Sequence, residues 1–153
     1  MWVEPGVGWF ELFVPAGDPL WTADVGRAFL FAGDLCADAF EALIGRRPEV
    51  HRGRLQPSSW SHLACFAGIG PGEVLVEGRK LVGFTQRRTR AGSRFAGIVY
   101  DRWSPAKLVG GLRLDPATAQ RALADLVPIG IGLADLAPVA AQRAVERLAA
   151  TLA

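Results

Sequence analysis

Apolar and polar positions follow several rhythms along the chain. From Val7 to Val14 there is almost no alternation: Trp9, Phe10, Leu12, Phe13 and Val14 make a near-continuous apolar run, the pattern of a strand buried on both faces. Beyond Asp18-Pro19, a pair suited to cap and open a helix, Val25, Phe29, Ala32, Cys36, Phe40 and Leu43 recur at steps of three and four as far as Gly45. That spacing predicts an amphipathic helix with Cys36 on its apolar stripe, where a free thiol packs as a small hydrophobe. After Arg46-Arg47-Pro48, a short strand near Val50 leads into a polar loop, Arg54 to Ser61. An apolar run, Leu63 to Phe66, and the turn-rich Gly68-Ile69-Gly70-Pro71-Gly72 follow. Glu73 to Val76 and Lys80 to Gln86 read as strands of a hairpin closed at Glu77-Gly78. A second hairpin turns at Arg90 to Ser93 and returns along Arg94 to Tyr100, so the middle of the chain is a β-meander.

Ser104-Pro105 and Asp115-Pro116 each place a capping side chain before a proline at the first helical position, which predicts one short helix and one ending near Leu126. An Ala-rich helix from about Pro138 to Leu152 carries Arg143, Glu146 and Arg147 on its polar face. Together these elements predict an α+β fold, a mixed and largely antiparallel sheet with flanking helices, in a single domain over residues 1–153.

Composition narrows the classes of function. With 153 residues, half of them hydrophobic, the chain can bury one sizeable core. Its apolar stretches stop well short of the roughly 20 residues that cross a bilayer, and Met1 opens no charged, apolar leader; the expectation is a soluble cytoplasmic protein with no membrane partner. Cys36 and Cys65 are expected to be thiols there. A net charge of +2 is too small to imply a polyanion partner for the molecule as a whole, yet Arg79, Lys80, Arg87, Arg88, Arg90 and Arg94 crowd one short segment. Fifteen arginines against two lysines, Lys80 and Lys107, in an Ala- and Gly-rich chain suggest high-GC codon usage, so a retained lysine invites a chemical role. His51 and His62 have no Cys or acidic partner at ligand spacing, so no tightly bound metal is expected. The five tryptophans read as packing residues.

Val74-Leu75-Val76-Glu77-Gly78-Arg79-Lys80-Leu81-Val82-Gly83-Phe84-Thr85-Gln86-Arg87-Arg88 resembles the central motif of the lipoate–protein ligase and octanoyltransferase family. There a strand and a Gly turn precede a basic residue and Lys, two apolar residues and Gly, then a small residue, Gln and basic residues. Biotin ligases carry a shorter G-x-K-x-x-G, and Gln86-Arg87-Arg88 tips the likeness to the lipoate side. The resemblance implies a biotin/lipoate ligase, class II synthetase-like catalytic domain. Lys80 would meet the acyl carbonyl, and Gly78, Arg79, Gly83, Gln86 and Arg87 would line the substrate. An ammonium on a hairpin stabilises charge developing on a carbonyl or phosphoryl oxygen, which suits that role. Leu63-Ala64-Cys65-Phe66-Ala67 places a thiol fifteen residues before Lys80, as in the octanoyltransferase branch, where a Cys carries the acyl group.

The implied substrates are lipoate or octanoate, with ATP and Mg if the chemistry is ligation. The implied partners are a lipoyl-acceptor domain or glycine-cleavage H-type protein and, as acyl donor, acyl carrier protein. Three departures stand out. The family's Arg-Arg-x-Ser-Gly-Gly-Gly-Ala-Val segment is absent, and Met1 stands where its Val would be, as when a GUG codon is taken for a start; the domain is expected to be incomplete at its N-terminus and the Val7 to Val14 strand to lack a neighbour. Ala96-Gly97 stands where many relatives have His-Gly, and the accessory C-terminal domain of some ligases is missing. Two further readings stay open: an inactive remnant or one part of a split enzyme, and a binding module that grips RNA or an acidic protein with the hairpin from Arg87 to Arg94, nucleic acid being the less favoured because few aromatics interleave the arginines.

Overall fold

The structure, a computed structural model, describes residues 6–138 and 141–151. Strands β1 (Val7–Pro15), β2 (Glu49–Val50), β3 (Val74–Val76), β4 (Arg79–Thr89) and β5 (Gly92–Tyr100) form one sheet in the order β1-β5-β4-β3-β2. Every neighbouring pair is antiparallel. The helices are α1 (Val25–Ile44), α2 (Ala106–Gly111), α3 (Pro116–Leu126) and α4 (Ala141–Thr151), and the protein is α+β with a five-stranded antiparallel sheet.

Helices α1 and α4 cover one face of the sheet. Cys36 and Phe40 of α1, Val82 and Val99 of the sheet, and Val145 and Leu148 of α4 share one buried cluster. Gly8 lets α4 come close, since a Cβ there would stand 2.7 Å from the Ala141 carbonyl oxygen. A second cluster, with Val109 of α2 and Ala122 and Leu126 of α3, closes over Ala64 and Ala67 beyond the opposite face.

Several expectations hold. Glu77 and Gly78 both take positive φ, 54° and 72°, the backbone of a two-residue turn that matches strand twist. Asp115 caps α3 through the Thr118 N–H at 3.1 Å, and Gly45 ends α1 in the left-handed conformation with its N–H on the Glu41 carbonyl. Others are corrected. Asp24, not Asp18, caps α1; Asp18 instead accepts from the Leu20 N–H and shapes the preceding turn. Ser104 makes no side-chain cap on α2, which starts after Pro105. The second hairpin turns on Arg90-Ala91, shorter than expected, because β4 runs on to Thr89 and β5 begins at Gly92. Strand β1 is not buried on both faces: Glu11 is exposed and Phe13 is 49 % exposed. Among the described residues β1 pairs with β5 alone, so it is an edge strand. The last helix is described over Ala141–Thr151, and the expectations for Met1 and Leu152 lie outside the described residues.

Candidate functional site

The site begins with an irregularity in the sheet. Between β3 and β4 the register shifts: Val82 opposes Val74, but Lys80 opposes Leu75, so β4 carries one extra residue, Leu81. Leu81 and Val82 therefore both enter the α1–α4 core, although strict alternation would separate them. Lys80 emerges towards Phe66 and Glu73 instead of sharing the core face of Val82. Where β5 ends at Tyr100, residues 129–131 take its place beside Lys80. The Lys80 N–H donates to the Ile129 carbonyl at 2.7 Å, and the Ile131 N–H donates to the Lys80 carbonyl at 2.9 Å. Arg79 adds a bond from Nε to the Gly130 carbonyl at 2.8 Å, so this arginine anchors the backbone.

The Lys80 side chain is fully buried. Its Nζ lies 2.8 Å from Glu73 Oε1 and 2.7 Å from Oε2, and 4.7 Å from the centre of the Phe66 ring. Glu73 is itself buried, and its Oε2 accepts the Gly70 N–H at 2.7 Å. Burial pulls Lys80 below the usual lysine range; the Glu73 carboxylate, its hydrogen bond and the Cys65 sulfur oppose that shift. Burial likewise pushes Glu73 up, against the pull of the Lys80 charge, its hydrogen bond and two backbone N–H groups. Removing either partner would strand the other charge out of water, so the pair acts as a unit.

Glu73 faces a cavity of about 300 Å³ on the side of the sheet away from α1 and α4. Trp9, Ile98 and Tyr100 form part of its wall, Phe66 and Leu108 cover it, and Cys65 opens onto it from the first position of a single 3-10 turn, Cys65–Ala67. The surface is mostly apolar, and the Cys65 thiol and Glu73 carboxylate are its reactive groups. A second, more polar cleft shares Tyr100 and Leu108 with it and carries Asp101, Arg102, Ser104 and Lys107. Among the described residues no group of three His, Cys, Asp or Glu side chains is placed to hold a metal ion.

No family model matches the chain, and none of the curated proteins matches it. Among solved structures, the fold is similar to a mutant biotin protein ligase from Aquifex aeolicus in complex with biotin, at 12 % identity and a TM-score of 0.49. The match covers 96 % of this chain and 50 % of the other, so the chain spans about half the length of that protein.

Of the residues the sequence singled out, the structure brings together Lys80, Cys65 and Gly83. Gly83 lies where an added Cβ would press the Phe66 ring at 3.1 Å and come within 3.5 Å of Glu73 Oε1, so its bareness seats both groups that hold Lys80. Gly78 sits at the hairpin turn, away from the cavity lining. Gln86 pairs with Phe95 on the α1 side of the sheet, and its amide has no hydrogen-bond partner among the described residues. Arg87 is exposed opposite Arg94, two residues along β4 from Thr85, which lines the cavity. The basic segment is thus divided: Arg88 turns back to the Thr22 carbonyl and lies over the Trp21 ring, leaving Arg87, Arg90 and Arg94 at the solvent end of the hairpin. Ala96 lines the cavity with a methyl group.

Sequence reasoning missed Glu73 and Phe66. Glu73 reads as the first residue of a strand and Phe66 as one more apolar position. The only signal was that both flank the Cys and Lys already singled out. The loop that delivers Glu73 is pinned where Gly72, at φ +81°, crosses Gly33 of α1, with space for no Cβ on either residue.

Proposed function

We propose that this chain is an acyltransferase that passes an octanoyl or lipoyl group to a lysine of a lipoyl-acceptor domain, holding it in transit as a thioester on Cys65. The observation that carries this reading is the accessible Cys65 thiol opening onto a largely apolar cavity, with the Lys80–Glu73 pair at its edge. The thiolate attacks the carbonyl of a carrier-bound thioester, whose C–S bond breaks to release the carrier thiolate, while the chain lies along Trp9, Ile98 and Leu108. The buried Lys80 charge, unable to swing away, favours the negative oxygen that develops on the carbonyl.

Incubation with octanoyl carrier protein tests this. The chain should gain one octanoyl mass that hydroxylamine removes, the gain should vanish in Cys65→Ser, and Lys80→Ala should abolish transfer to the acceptor domain. The second polar cleft, with Arg102 and Lys107, favours the other chemistry, activation of free lipoate by ATP. Acceptor acylation that needs ATP and leaves Cys65 unmodified would replace the first reading with that one.

A further inference from the structure

Resting on that reading, we infer that Glu73, not Lys80, is the base that receives the acceptor lysine and takes its proton. Both are buried at the same site, but they stand differently to the cavity: Glu73 lines it, whereas Lys80 has no exposed surface and already spends its ammonium on both Glu73 oxygens. An acceptor amine arrives as an ammonium, which cannot attack a carbonyl. Glu73 is the carboxylate on this apolar wall that can accept the proton, whereas the Lys80 ammonium beside it has no lone pair to take one. Tyr100 from β5, Cys65 from the 3-10 turn and Lys80 from β4 are the other titratable groups around it. Burial raises Glu73, which makes it a stronger base than an ordinary carboxylate.

The step balances. The lysine ammonium gives one proton to Glu73, its nitrogen forms the C–N bond, and the C–S bond to Cys65 breaks. The second nitrogen proton passes to the departing thiolate, leaving an amide, a neutral Glu73 and a Cys65 thiol; Glu73 then releases its proton to water.

The experiment is a single turnover on enzyme loaded at Cys65 with octanoate, discharged in parallel by the acceptor domain and by hydroxylamine, which is neutral near pH 7 and needs no base. In Glu73→Gln the ratio of acceptor discharge to hydroxylamine discharge should fall about 10²-fold or more. Glu73→Asp, which keeps a charge opposite Lys80 but withdraws it from the cavity, should lower the ratio by less, and it stands in should the Gln variant not fold. A ratio equal to wild type in the variant that folds, whether both rates hold or both drop together, overturns the inference and leaves Glu73 a structural counter-ion. Wild-type enzyme that never loads would instead overturn the acyltransferase reading itself.

Discussion

Cys36 and Cys65 show how position decides what a thiol can do. Cys36 is buried on the inner face of α1 and its pKa is pushed up to about 12 by desolvation, so at neutral pH it is an inert packing group; Cys65 is exposed. A thiol-reactive dye should therefore label one cysteine in the native protein, lost in Cys65→Ser, and both after unfolding in urea. The Lys80–Glu73 pair is the other residue-scale commitment. Lys80→Met strands a buried carboxylate and should cost about 3–5 kcal/mol in urea melts, while Lys80→Met with Glu73→Gln, which keeps an acceptor for the Gly70 N–H, should cost clearly less. The pH dependence has two signs. With Glu73 raised, the folded protein holds a proton that the unfolded chain has released, so stability from this group falls as pH rises past the ordinary glutamate value. With Lys80 lowered, the unfolded chain binds the extra proton, so stability rises with pH as the ordinary lysine value is approached from below. Urea melts across pH should show both slopes in wild type and neither in the double variant. Lys80 and Cys65 were singled out in the sequence because the motifs around them resemble those of a known family. Glu73 was not, because only tertiary packing separates it from the many carboxylates at strand ends.

At the scale of elements, periodicity located α1 and the meander, and Glu77-Gly78 announced its turn. The Leu81 bulge was invisible: reading β4 by alternation puts Lys80 on the Val82 face, and only the paired register reverses this. The contact of Gly72 with α1 was equally hidden, since a glycine in a turn-rich run suggests turn geometry and not close approach. A Cβ at Gly72 would stand 2.2 Å from the Phe29 carbonyl oxygen and occupy a left-handed backbone. Gly72→Ala should thus lower stability by at least about 2 kcal/mol and, by displacing Glu73, cut acceptor transfer more than Cys65 loading. Thermal melts and the single-turnover assay would read the two effects. Helix starts proved least legible: Asp18 and Ser104 have the chemistry of caps, but the chain turns before the first helix and enters the second without using Ser104.

For the molecule as a whole, the solvent end of the β4–β5 hairpin carries Arg87, Arg90 and Arg94, with Arg94 leaning to Glu11 at 3.6 Å. On the proposed acyl-transfer reading, an acidic carrier would be drawn by these arginines. Arg87→Glu with Arg90→Glu should slow Cys65 loading by about tenfold at low salt, with the difference fading as ionic strength rises; stopped-flow loading across a salt series measures it. Among the described residues no helix is long and apolar enough to cross a membrane. The grip of residues 129–131 on the Lys80 backbone bears on biosynthesis. Fifty-one positions separate Arg79 from Gly130, so on the ribosome both reactive side chains leave the exit tunnel long before the segment that braces one of them. On the proposed acyl-transfer reading, Cys65 would stand outside the ribosome before the segment that braces Lys80 has followed, and thioester transfer would wait for it.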